Sequence, residues 1–334
     1  MKEKEAGENA GIKIVEIVGR KVRYIDPLTD WGFKRLFGTE ANKEILSGFL
    51  EVLFPDKVIR DIRYLNPEQL GLTREDRKSV FDVCCKTDSG EEFIVEMQKE
   101  RQTYFRDRAL YYSTYPLREQ GRKGDWSYRL TPVYMVGILD FTLDHPTGNG
   151  TGEAGMEEKL IYRYSLRERD TGEEMTENLR FVFVELGTFR KSESELRGML
   201  DKWMYVLKNL SRLIGRPAAL QERIFGKIFE TAEISAFTKE ERNQYEKNMM
   251  TENDRKNALD YARQEGRQAG LAEGRQKGRQ EGIAEGRQEG LEEGRQEGRQ
   301  EALAVAAAGM KKIGMPVETI MQVTGLSEAA IAAL

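Results

Sequence analysis

Residues 79–99 read SVFDVCCKTDSGEEFIVEMQK, two apolar runs of strand length on either side of a DSG turn signal. Side chains alternate along a strand. Asp82 therefore shares a face with Cys84 and Lys86, while Phe81, Val83 and Cys85 face the other way. In the second run Glu96 and Gln98 share a face with Ile94, while Phe93, Val95 and Met97 face away. Folding the runs into an antiparallel hairpin brings Asp82, Glu96 and Gln98 together. Two carboxylates so placed repel, and burial adds to the cost unless a cation sits between them. Oxygen ligands on a rigid hairpin suit Mg²⁺ or Mn²⁺, ions that activate water and stabilise charge developing on a phosphate. The plainer reading makes both acids solvent-facing groups of edge strands; their matched phase favours the first.

The flanking sequence supplies the rest of a mixed fold. Upstream, DPLTDWGFKRLFG (26–38) predicts a helix starting near Thr29 or Asp30, with Phe33, Leu36 and Phe37 on one face and Gly38 as the stop. KEILSGFLEVLF (43–54) predicts a second helix, ended by Pro55, and KVIRDIRYL (57–65) a strand. Downstream, residues 103–120 read as a helix interrupted or ended near Pro116, and TPVYMVGILDF (131–141) as a central strand. LIYRYSLRE (160–168) and LRFVFVELGTF (179–189) read as two more strands. Residues 193–250 are helical in pattern, with Leu196, Leu200, Trp203, Leu207 and Leu210 on an apolar stripe. This order predicts an α/β domain over 23–190, preceded by a loose tail (1–22) and followed by a helical region (191–254).

Asp82, a turn, then Glu96-Met97-Gln98 resembles the D–(E/D)xK signature of restriction-endonuclease-like nucleases, in the form where glutamine replaces lysine. Asp30-Trp31-Gly32-Phe33-Lys34-Arg35-Leu36-Phe37-Gly38 resembles the DxxFKxxFG start of one branch, the recombination-promoting nuclease and putative transposase family. YLNPEQLG before the hairpin, the tyrosine-rich helix after it and the PVYMVGILDF strand fit the same pattern. The resemblance implies a restriction-endonuclease-like α/β core, a mixed sheet flanked by helices. It implies a metal held by Asp82, Glu96 and the Met97 backbone carbonyl, with Gln98 in the lysine's position and Asp30 completing the site. Lys34 would contact phosphate. Asp30 and Lys34 also read as an ordinary i, i+4 helix pair. An amide at 98 supplies dipoles where lysine supplies charge, and it exchanges no proton.

Between 99 and 129, Lys99, Arg101, Arg106, Arg108, Arg118, Arg122, Lys123 and Arg129 stand against four acids. That local excess suits a surface tracking phosphates, Lys99, Arg101, Arg106 and Arg108 first among them; a solvated helix face is the alternative. No base-reading element is visible, so contacts to DNA should be mainly to its backbone.

From Gly266 to Gly298 a glycine recurs every fourth residue, nine in all, within variants of EGRQ. Each interior glycine costs about 1 kcal/mol relative to alanine in a helix, so the segment 255–301 reads as helical or flexible, a solvated spacer or a row that admits another helix closely. A period of four drifts around the helix, against a heptad seam. The ending 302–334 reads as a short helix-turn-helix-like cap, with Pro316, Gly325 and Ser327 as its boundary residues, and suits packing or dimerisation better than DNA reading.

Composition bounds the alternatives. Charged residues are 33% and hydrophobic ones 39%, a compact part diluted by a solvated one, and the net charge of −4 argues against indiscriminate nucleic-acid binding. Cys84 and Cys85 are adjacent, no CxxC exists, and His145 is the single histidine, a loop residue by its context, so zinc and histidine chemistry lack their groups. No apolar run of membrane length and no apolar leader core is present, so a cytoplasmic, membrane-free setting is expected. Within these bounds, the resemblance implies a Mg²⁺-dependent DNA endonuclease of low specificity, with Mn²⁺ as a possible substitute, associated with recombination or mobile elements. It would be a homo-oligomer through its C-terminal helices. The rival is a non-catalytic scaffold that keeps the nuclease fold and acts through its tail; strand-joining transposition finds no end-reading element.

Overall fold

The computed structural model describes residues 13–66, 68–69, 79–121, 126–145 and 159–334. Arg122 and Lys123 of the basic stretch lie outside them, as do residues 1–12 of the expected tail. The chain divides into two compact units, residues 1–254 and 255–334.

The first unit opens with a small hairpin, β1 (Val15–Ile17) and β2 (Arg20–Val22), whose turn places Val18 and Gly19 at positive φ. Ile17 is buried in the main core, so the folded part begins well before residue 23, where the sequence suggested a loose tail would end. Helices α1 (Asp30–Phe37) and α2 (Lys43–Leu53) follow, each burying one apolar stripe. Strand β3 is Ile62–Tyr64, shorter than the expected run. Two short strands, β4 (Glu68–Gln69) and β5 (Ser79–Val80), pair with each other. The hairpin itself is β6 (Val83–Thr87) and β7 (Glu92–Gln98), closed by a turn in which Gly90 has φ of 90°. Then come α3 (Phe105–Glu119), β8 (Val133–Leu139), β9 (Ile161–Ser165) and β10 (Leu179–Glu185).

Six strands form one mixed sheet in the order β3-β6-β7-β8-β10-β9. The centre, β7-β8-β10, is parallel, and the outer pairings are antiparallel. β8 is buried along its whole length, as a central parallel strand must be. On one face lie α1 and α2 together with α4 (Met199–Asn209) and α5 (Arg223–Ala232); Phe37 and Phe49 pack on Trp203, and Trp203 on Phe225. Residues 191–254 therefore share the core of the nuclease-like part; no boundary at 190 separates them. On the other face α3 covers a smaller core of Phe81, Cys84, Ile94, Phe105, Met135 and Phe183. Helix α3 runs through Pro116 instead of stopping there. The proline sits in the last turn and is buried; it forfeits one i→i−4 hydrogen bond without ending the helix.

Phe81 corrects the alternation expected of the first strand. It joins Cys84 on the α3 face, because the ladder breaks at Phe81 and Asp82 before β6 begins. Cys84 and Cys85 face opposite cores as expected, and burial pushes both thiols up, out of reach as nucleophiles. His145 has a partner that its loop context did not suggest: its Nε2 lies 2.6 Å from Glu185 Oε1, and its ring stacks on Tyr162.

Helix α6 (Lys239–Lys312) starts in the first unit, where the buried Tyr245 hydroxyl accepts the Asp26 backbone N–H at 2.9 Å. In the second unit the glycine row is helical and exposed, and a Cβ at any of its nine glycines would meet nothing within 4 Å among the described residues. The helix ends in a small cap. There α7 (Val317–Thr324) and α8 (Glu328–Ala333) bury Ile320 and Ile331 against Ala307. Gly325 closes α7 with φ of 71°, and Ser327 caps α8 through the Ala330 N–H. Among the described residues no helix is long and apolar enough to cross a membrane.

Candidate active site

The β6–β7 register pairs Val83 with Val95 and Cys84 with Ile94, so one step further along Asp82 stands opposite Glu96. The backbone ladder stops there and the side chains take it over. Glu96 Oε1 accepts the Asp82 N–H at 3.1 Å, and Asp82 Oδ2 accepts the Met97 N–H at 2.8 Å. Each acid thus spends one oxygen on the hairpin, and the other oxygen of Glu96 lies towards Arg108 of α3. Asp82 Oδ1 has no hydrogen-bond partner among the described residues, and Glu96 Oε2 has only the Gln98 amide at 3.5 Å, the limit of a hydrogen bond.

Glu96 is 3% exposed. Burial is the main force raising its pKa, to about 8, with the Asp82 charge adding to it; the Arg108 and Lys34 cations pull the other way. Asp82 is raised as well, again chiefly by burial, with Asp30 adding and the Met97 N–H, Lys34 and Arg108 opposing. Two acids that resist ionisation together in a buried site are an arrangement that a divalent cation relieves.

Helix α1 brings its first turn to this pair. Thr29 is fully buried, donates to Asp26 O at 2.9 Å and caps the helix by accepting the Gly32 N–H at 3.1 Å, which fixes where Asp30 and Lys34 emerge. Asp30 and Lys34 pair with each other at 2.7 Å while still acting electrostatically on Asp82. The i, i+4 pair is therefore present as an ordinary helix contact, close enough to the acids to act on Asp82. Arg108 reaches in from α3, its Nη2 3.9 Å from Glu96 Oε2. Lys99 is paired with Asp26 at 2.9 Å. Arg101 pairs with Asp144, and Arg106 donates to the Asp144 carbonyl at 2.7 Å, so both are tied to the segment after β8.

Gly137 was not singled out in the sequence. It is the register partner of Glu96 on β8 and of Phe183 on β10. A Cβ there would lie 2.8 Å from Phe105 Cζ and 3.1 Å from Phe183 Cδ1. The missing side chain lets the N-terminal end of α3 approach the sheet beside Glu96. An isolated glycine within an apolar strand is a signal of such close approach.

The donor set is suited to a hard cation: two carboxylates on a rigid hairpin, one with an oxygen unpartnered among the described residues and one with an oxygen met only at the limit of a hydrogen bond, and a neutral amide beside them. Among the described residues no three His, Cys, Asp or Glu side chains gather as a complete metal group. The remaining positions would fall to a backbone carbonyl, water and substrate oxygens, as is usual for Mg²⁺.

A family model described as PD-(D/E)XK nuclease family transposase matches residues 27–262 of the chain. No curated protein matches it. No solved structure matches it.

Proposed function

Starting from a chain that belongs to the PD-(D/E)XK nuclease family transposases, we propose that it is a metal-dependent endonuclease that hydrolyses DNA phosphodiester bonds with little sequence preference. The observation that carries this reading is the carboxylate pair at the end of the hairpin. Asp82 and Glu96 are each locked through one oxygen by a backbone N–H group, the second oxygen is at most weakly engaged among the described residues, and both are raised by burial. Asp82, Glu96 and the Met97 carbonyl would hold Mg²⁺ or Mn²⁺, which acidifies water and offsets charge on the phosphate. Gln98, beside Glu96, would supply an amide to orient water there, and Asp30 would add a carboxylate at the rim. Lys34, Lys99, Arg101 and Arg106, each held by a local acid or carbonyl, would track the DNA backbone.

Supercoiled plasmid tests the reading. Nicking that requires Mg²⁺ or Mn²⁺ and is lost in both Asp82→Asn and Glu96→Gln supports it. Cleavage untouched by either substitution refutes it.

A second reading, an assembly protein acting through its tail, draws support from the nine glycines of α6, which lie open to an outside partner. It expects an oligomer that falls apart when 255–334 are deleted, and no change in melting temperature with Mn²⁺.

A further inference from the structure

The signature this site resembles carries a lysine where the chain has Gln98, so a positive charge is missing from the expected place. The structure shows which residue stands nearest to supplying it. Lys34 is paired with Asp30 and well exposed, and Lys99 is paired with Asp26. Arg108 differs from both. Its Nη1 donates to Gln102, but its buried Nη2 has no hydrogen-bond partner among the described residues. That nitrogen lies near Glu96 Oε2, at a distance that attracts the carboxylate without bonding to it. The guanidinium also lies over the rings of Phe105 and Tyr112, three residues before and four after it on α3, which hold its plane in place. Phe105 in turn occupies the space that Gly137 leaves beside Glu96. A donor this buried is costly to leave unmet unless a ligand completes it.

On the nuclease reading above, on which this inference rests, we propose that Arg108 is the cationic catalytic residue of the site. Its Nη2 offsets Glu96 in the resting protein and donates to a non-bridging oxygen of the scissile phosphate once Glu96 is engaged by a divalent cation. Arginine suits this role. It stays protonated beside a metal, and its planar fork matches phosphate oxygens. It transfers no proton; it stabilises charge that grows on the phosphate in the transition state.

The test uses the full-length protein, Arg108→Met and Arg108→Lys, with two readouts. The first is single-turnover nicking of supercoiled plasmid in Mn²⁺. The expected result is a rate lower by about 100-fold or more in Arg108→Met, since removing one such donor typically costs that much, and partly recovered in Arg108→Lys. The second is calorimetric titration of MnCl₂ without DNA. Arg108→Met should bind Mn²⁺ roughly tenfold more tightly than wild type, because a cation next to Glu96 has gone, with Arg108→Lys near wild type. Nicking by Arg108→Met within threefold of wild type overturns the catalytic role while leaving the nuclease reading intact. A wild type that binds Mn²⁺ but never nicks removes the nuclease reading and that role with it. Mn²⁺ binding no tighter in a folded Arg108→Met overturns the resting contact whichever way the cleavage assay falls.

Discussion

Glu96→Gln should stabilise the metal-free protein at neutral pH, and the gain should depend on pH. An unfolded chain releases the Glu96 proton near 4.5, whereas the folded chain holds it until about 8. Between those values the folded state binds more protons, so stability is full below the first and declines as pH rises towards the second. From pH 4.5 to 7, at about 1.4 kcal/mol per pH unit, the loss reaches about 3 kcal/mol. Glutamine keeps an oxygen for the Asp82 N–H and carries no charge, so it escapes that loss. Its NH₂ group faces Arg108 and gives part of the gain back. A net gain of about 1–3 kcal/mol at pH 7 is expected, and a unit of this size moves by about 2–4 °C per kcal/mol. Thermal melts in EDTA at pH 5, 6, 7 and 8 read the effect directly. The variant should match wild type near pH 5 and melt several degrees higher at pH 8. Added Mg²⁺ should raise the wild type more than the variant and close the gap. A variant that melts lower than wild type at pH 8, or by the same margin at every pH, refutes the reasoning.

Three further substitutions probe the scaffold of the site. Gly137→Ala should cost about 1–3 kcal/mol in urea unfolding, because its Cβ meets Phe105 and Phe183 inside a packed core. It should also slow nicking, by displacing α3 and with it Arg108. Thr29→Ala should cost about 1 kcal/mol by leaving the Gly32 N–H of α1 uncapped, measurable in the same unfolding assay. Replacing Gly274, Gly278 and Gly282 together by alanine should add about 2–3 kcal/mol of helix stability, seen as a later loss of helical ellipticity on heating, since the added methyls meet nothing within 4 Å among the described residues. A fall in sedimenting mass in that triple variant would identify the row as a seat for another molecule.

The hairpin was readable because a two-residue period and a turn signal are local facts. They placed Glu96 beside Asp82 without knowledge of any other strand, and the β6–β7 register agrees. Phe81 was misread for the same reason: alternation assumes an unbroken strand, and this one breaks one residue before its acid. The boundary at 190 was inferred from a change of pattern, but α4 and α5 return to the face of the sheet already covered by α1 and α2, a tertiary fact with no local trace. Arg108 was legible as one cation among eight, not as the one that ends beside Glu96. That placement depends on the crossing of α3 over β8, which a single glycine permits. The pairing of His145 with Glu185 joins residues 40 apart in sequence and left no periodic signal.

The last rung of the β6–β7 ladder is made of carboxylates, and this places two selective demands on the same atoms. One oxygen of each acid closes a strand pair; on the proposed reading the other would serve the reaction. A descendant that abandoned cleavage would still be held to an acceptor at both positions by the folding of its hairpin. Loss of function in such a lineage should be written as Asn and Gln more often than as Ala, and an intact acid pair by itself records the fold as much as the reaction. The charge alone, separated from the acceptor, is what distinguishes the two histories.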